Sequence, residues 1–229
     1  LIDNVKRAVA RYVVKPWVIR YLRKPRQFQF HELRLHIEPG VFHPRFFFSS
    51  LFFSEFVREL NLKGKCVGEP CCGSGIIGLT AAIQGAEVFC GDIDQRAVKS
   101  VQRSVELNEG ILEKKNVHIL HSDGFAQFPD INYDYIFVNP PYFFKAVENQ
   151  AQLAWNAGTE GEFFVRFFSG VDKIISPTTK TYMVLADNCE LDKIQAIAKQ
   201  FDFLLKEHRR KKIHWEVNYI FEIVKQAHE

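Results

Sequence analysis

"CVGEPCCGSGIIG", residues 66–78, decides how the rest of the chain is read. Its opening, Cys66-Val67-Gly68-Glu69, is short and apolar and runs into a glycine-bearing loop, the pattern of a buried strand. Gly73-Ser74-Gly75-Ile76-Ile77-Gly78 follows as a G-x-G-x-x-G run, which predicts a tight turn and a helix from about Gly75. The next apolar run, Glu87-Val88-Phe89-Cys90, leads to Asp92, 19 residues after Gly73. Glycines so placed let a ligand approach the backbone, and a carboxylate ending the second strand can accept hydrogen bonds from ribose hydroxyls. Taken alone, the pattern fits a dinucleotide site and an NAD-dependent oxidoreductase.

Working outward, strands alternate with helices. Val117-His118-Ile119-Leu120 reads as a third strand and Tyr135-Ile136-Phe137-Val138 as a fourth; a helix near residues 160–175 precedes a fifth, Tyr182-Met183-Val184-Leu185. This order predicts an α/β fold with a Rossmann-like, mostly parallel sheet covered on both faces. Strict alternation of Ile213, Trp215, Val217, Tyr219, Phe221 and Ile223 predicts a last strand. With Phe201–Lys206 before it and His208–Lys212 as a basic turn, it forms an antiparallel pair closing the sheet. Asp94, ahead of Gln95-Arg96-Ala97-Val98, reads as a helix N-cap. Upstream, Phe28 and Phe30, then Leu33, Leu35 and Ile37, predict a short hairpin; Ser49 or Ser50 would cap a helix reaching about Leu60. Residues 4–24 read as one or two helices. The division expected is a basic helical and hairpin extension over 1–40 and a catalytic domain over 41–229.

Bulk properties narrow the classes. The 229 residues are 47% hydrophobic with 22 Phe, enough for one sizeable core, which excludes a disordered chain. No apolar stretch spans a bilayer and no signal-like leader is present, so a cytoplasmic protein away from membranes is expected. Five cysteines without a C-x-x-C spacing argue for reduced thiols rather than disulfides or a zinc site, and no metal is expected. Residues 1–36 hold nine Lys or Arg against Asp3 and Glu32 in a chain of net charge +3. Such a segment suits an anionic partner, or is a solvated helix face.

The fourth strand stops at Asn139-Pro140-Pro141-Tyr142. Neither proline donates a hydrogen bond, and Pro140 holds Asn139 extended. The strand end is left with a side-chain amide and a carbonyl that no sheet partner requires. Those acceptors could hold the two N–H bonds of a planar nitrogen in line for attack, with Tyr142 stacked on the flat group and Phe143 and Phe144 excluding water.

Acids ending three successive strands, Glu69, Asp92 and Asp123, together with the closing antiparallel strand, resemble the class I S-adenosylmethionine-dependent methyltransferases. The resemblance implies that Glu69 lies near the methionine part of the cofactor, that Asp92 holds its ribose and Asp123 its adenine amino group. Gly73, Gly75 and Gly124 would form the surrounding loops. It also implies catalysis by Asn139, Pro140 and Tyr142, as in enzymes that methylate glutamine amides, adenine N6 or guanine N2. Pro39-Gly40-Val41-Phe42-His43-Pro44-Arg45 is similar to a segment of the HemK-like release-factor glutamine methyltransferases, and the likeness extends over about residues 38–170. Two departures stand out: Cys71 occupies a position usually held by Gly, and the family's helical recognition domain is replaced by the short basic segment.

The expected function is therefore N-methylation of a protein glutamine, in a translation factor or ribosomal protein, by a monomer. The alternatives are an rRNA or tRNA base methyltransferase, a non-catalytic RNA- or ribosome-binding module, and the NAD-dependent dehydrogenase.

Overall fold

The computed structural model describes residues 20–226. The helical reading of residues 4–24 falls almost entirely outside them; residues 20 and 21 are helical and a turn follows. β1 (Arg26–Phe30) and β2 (Leu33–Ile37) pair antiparallel as the expected hairpin. The main sheet has seven strands: β3 (Cys66–Pro70), β4 (Glu87–Asp92), β5 (Val117–His121), β6 (Tyr135–Val138), β7 (Lys180–Ala186), β8 (Phe203–Ile213) and β9 (Glu216–Lys225). Their order is β5-β4-β3-β6-β7-β9-β8, parallel up to β7 and antiparallel where β9 meets β7 and β8. The expected fold class holds.

Among the described residues five helices cover the sheet: α1 (Phe48–Arg58), α2 (Ile76–Ile83), α3 (Gln95–Leu107), α4 (Glu162–Ile174) and α5 (Leu191–Lys199). Strand side chains alternate between faces, and the core divides accordingly. Phe137, Tyr182 and Val184 join the apolar cluster of α1, α2, α3 and the β1–β2 hairpin, whereas Ile136, Val138, Met183 and Leu185 join that of α4 and α5. The hairpin is tied to α3 by hydrogen bonds from the Arg34 and His36 amides to Asn108 Oδ1 (3.0 Å) and Ser104 Oγ (2.9 Å).

Chain direction fixes where a ligand can sit. From β3 the chain moves through β4 to β5 on one side, then returns to β6 on the other and continues to β7. The loops after β3 and β6 therefore diverge, opening a crevice at the carboxyl ends of these strands.

Two local expectations fail. Neither Ser49 nor Ser50 caps α1, which begins at Phe48 without a side-chain cap; both serines are buried inside the first turn, and Ser50 Oγ donates to the Phe47 carbonyl (3.2 Å). His208–Lys212 is not a turn either, since β8 continues through it to Ile213 and only His214 and Trp215 lie between the paired Ile213 and Glu216. An edge strand accepts such a charged run because one side of it has no partner and its side chains reach water. A register shift between Glu207 and Arg209 accommodates the change from apolar to basic residues.

Candidate active site

The crevice holds a cavity of about 450 Å³ whose wall includes Gly73, Asp92, Asp123, Gly124, Asn139 and Pro140. Residues scattered from 73 to 140 in the sequence thus meet at one end of the sheet.

Left-handed backbone at Cys71 (φ 65°), Gly73 (φ 52°) and Gly75 (φ 75°) folds the loop sharply after β3. Gly75 is the residue before α2, where an added Cβ would lie 2.8 Å from Val101 Cγ2. At Gly78 a Cβ would lie 2.4 Å from Glu69 Oε2 and 2.7 Å from Cys90 Sγ, so only glycine lets α2 sit this close to the sheet. Cys71 and Cys72 both face the cavity, and burial raises both thiols well above the ordinary range, so they are present as neutral thiols.

Asp92 is half-buried at the end of β4. Its Oδ2 accepts from the Gly73 N–H (2.8 Å) and its Oδ1 from the Asp94 N–H (2.9 Å). Burial pushes its pKa up to about 6, opposed by those two N–H groups. Each oxygen keeps a lone pair for a further donor. Asp94 fills the expected capping role, accepting from the Arg96 N–H (2.9 Å) while gripping the Arg96 guanidinium (2.6–3.1 Å). Arg96 Nη2 also donates to the Gln150 carbonyl (3.2 Å), which ties the β6–α4 loop to the start of α3.

Glu69 does not line the cavity. It is 1% exposed beneath α2, where its Oε2 accepts from the Gly78 N–H (2.8 Å), and burial pushes its pKa up to about 8. At neutral pH it is a protonated group joining helix to sheet. Tyr142 is also absent from the wall: 8% exposed, its ring packs in the α4–α5 cluster and lies edge-on to Phe143 at 4.9 Å. Two prolines turn the chain back over the sheet, and the apolar cluster takes the aromatic that follows them.

Asn139 faces the cavity without a side-chain hydrogen bond to any described residue, and no described backbone N–H reaches the Pro140 carbonyl. Asp123, half-exposed, pairs with Arg166 of α4 (3.5 Å). Several wall residues escaped the sequence reading. Ile93, 42% exposed beside Asp92, offers an apolar surface; Phe42 meets Trp155 at 4.9 Å and Phe47 at 4.6 Å, roofing one side. Asn156 Nδ2 donates to the Ala146 carbonyl (2.8 Å), closing the β6–α4 loop on itself. Two sequence signals were available: Ile93 directly follows the strand-ending acid, and Phe42 lies within the Pro39–Arg45 segment.

Solved methyltransferases share this fold. A Thermus thermophilus 16S rRNA N2 G1207 methyltransferase, solved with AdoMet and guanosine, superposes with a TM-score of 0.60 at 22% identity, over 89% of this chain and 50% of that one. The ribosomal protein L11 methylase of Lactobacillus delbrueckii subsp. bulgaricus gives 0.57 at 16% identity, over 83% and 84%. By sequence, a ribosomal protein L11 methyltransferase of Thermoanaerobacter pseudethanolicus is 29% identical over 120 residues, 52% of this chain. That match spans 36% of the relative's length. S-adenosylmethionine, which the Thermus thermophilus structure holds, fits the residues present: two carboxylates, at Asp92 and Asp123, for hydroxyl and amino donors, Ile93 for a flat ring, and a glycine loop with room for close approach. Among the described residues no cluster could hold a metal ion, and no helix is long and apolar enough to cross a membrane. A family model described as "Methyltransferase small domain" matches residues 32–205, and the chain belongs to that family.

Proposed function

We propose that the chain is an S-adenosylmethionine-dependent N-methyltransferase acting on a planar amide or amino nitrogen of a translation component. The observation that carries this reading is the pair of unengaged acceptors, Asn139 Oδ1 and the Pro140 carbonyl, in the same cavity as Asp92 and Asp123. Bound there, the cofactor supplies a methyl group on a sulfonium, an electrophile that needs no metal. Asp92 would accept from the ribose hydroxyls with the lone pairs that Gly73 and Asp94 leave free. Asp123 would accept from the adenine amino group, and Ile93 would pack on the ring.

A conjugated nitrogen is a weak nucleophile because its lone pair is delocalised. Two acceptors on its N–H bonds hold it in line and favour the tetrahedral geometry of the transition state. No side-chain base is required beforehand, since the nitrogen's proton becomes acidic only as the new bond forms; Asn139 Oδ1 or the Pro140 carbonyl holds it until water takes it. Stacking on the acceptor falls to the Pro140 and Pro141 rings rather than to Tyr142, whose ring is buried away from the wall.

Incubation with methyl-labelled cofactor and a ribosome-containing extract tests the proposal. Label should enter one macromolecular fraction, and sensitivity to ribonuclease or to protease assigns the acceptor to RNA or to protein. No incorporation in either fraction, with the cofactor bound, would leave a non-catalytic binding module and defeat the reading.

A further inference from the structure

The β8–β9 hairpin is not used by the cavity, yet its tip stands at the cavity's end of the sheet. β9 is antiparallel to β7 and β8 antiparallel to β9, so β8 runs in the direction of the parallel strands and its end joins their carboxyl ends. Register gives the offset. Val138 pairs with Met183 and Val184 with Ile220, so Asn139 is level with Ile220, and Trp215 is five residues further along. The tip therefore extends about 17 Å beyond the level of Asn139 and lies two strands, about 10 Å, to the side. His214, in the left-handed region (φ 57°), makes the two-residue loop and rests its ring 4.9 Å from Phe48, at the start of the helix whose Ser50 lines the cavity.

Trp215 is 89% exposed, and the neighbouring strand carries Lys206, Arg209, Arg210, Lys211 and Lys212 against a single Glu207. Arg209 is taken up by Glu59 (2.7 and 2.9 Å), and Arg210 shares Glu207 (3.3 Å). Lys211 and Lys212, nearest the tip, have no ion pair among the described residues; Glu216, next to Trp215 and paired with Ile213, stands at the tip as well, with Asp187 near it. Edge-strand lysines by themselves are explained as a guard against strand addition. An indole held in water is not, because it gives up its burial free energy without any benefit to the fold. One open aromatic face among unpaired cations suits a stacked base with phosphates on either side, whereas a protein partner would call for a broader apolar patch.

We propose that the β8–β9 tip, through Trp215, Lys211 and Lys212, docks single-stranded RNA and presents it to the cavity; its link to methyl transfer rests on the function proposed above. A few nucleotides would bridge from the tip to Asn139. The test uses a short fluorescein-labelled single-stranded RNA of mixed sequence, titrated with the wild type, Trp215→Ala and Lys211→Ala/Lys212→Ala, beside calorimetric titration of S-adenosylmethionine into each. Loss of one stacked base weakens RNA binding in Trp215→Ala by about 10-fold or more. In the double variant the slope of log affinity against log salt becomes shallower by about 1.4, two phosphate contacts' worth. Cofactor affinity stays unchanged in both. Wild-type RNA affinity in both variants, or no RNA binding by the wild type, overturns the proposal. So does loss of methyl transfer to a ribosomal-protein fraction while RNA affinity is kept, which makes the tip a protein-docking site. Failure of the wild type to bind S-adenosylmethionine defeats the proposed function instead, and leaves the RNA result to be judged by itself.

Discussion

The two walls of the cavity are built on different terms. On the β4 side, Asp92 is held before any ligand arrives, by the Gly73 and Asp94 N–H groups, and the loop it grips is bent by three residues of positive φ. On the β6 side, Asn139 and the Pro140 carbonyl meet no described donor at all. A binding site gains from fixing its partners in advance, whereas the acceptor side gains from leaving its hydrogen-bonding capacity for the reacting nitrogen. On the proposed function one wall would account for affinity and the other for rate, and variants can separate them.

Asn139→Ala should have the largest effect, on the second wall alone. Removing one oriented acceptor of the reacting group lowers turnover by about 10² to 10³-fold, read as methyl incorporation at saturating cofactor. Asp92→Ala acts on the first wall. Loss of hydrogen bonds to a charged group, about 1.5–3 kcal/mol, weakens S-adenosylmethionine by about 10- to 150-fold in calorimetry, with turnover at saturation less affected.

Acidity sharpens the contrast. Burial raises Asp92 to about 6 from an ordinary 3.8, so the free protein takes up a proton there as pH falls below 6. Cofactor affinity should then drop by up to about 10-fold per pH unit, and Asp92→Asn should show no such dependence. The sign for stability is opposite, because the folded state binds this proton more tightly than the unfolded chain; Asp92 costs least stability below pH 3.8 and most above 6.

The smallest effect belongs to Glu69. Its folded pKa of about 8 exceeds the ordinary 4.5, so its contribution to stability is fully present below 4.5 and is lost as pH rises through 8. Glu69→Gln keeps the acceptor for the Gly78 N–H and removes the ionisation. Its melting temperature should fall less than the wild type's between pH 6 and 9, with cofactor affinity nearly unchanged. A large loss of affinity would return Glu69 to the binding wall.

How far the sequence could be read follows from the range of the interactions. β6 was legible to the residue, because Tyr135–Val138 is an apolar run closed by two prolines. Gly73, Asp92, Asp123 and Asn139 were legible as positions as well, since each ends a strand or lies within three residues of a strand's end, and strand direction carries them to the same edge. Glu69 also follows that rule, yet its side chain points under α2, an orientation set by the close packing at Gly78. Tyr142 turned inward because a cluster of phenylalanines from α4, distant in sequence, receives it. Phe42 and Trp155 meet across more than a hundred residues, which no local pattern encodes. His208–Lys212 was read as a turn from its polarity, and only pairing with β9 makes it a strand.

The division between the walls is tested most directly by the dissociation constant of S-adenosylmethionine for Asn139→Ala, measured by calorimetry beside the wild type at neutral pH. The two should agree within about twofold, because in the proposed mechanism the amide would contact the acceptor nitrogen and not the cofactor. A loss of about tenfold or more would place Asn139 on the cofactor wall and contradict the assignment of rate to that side.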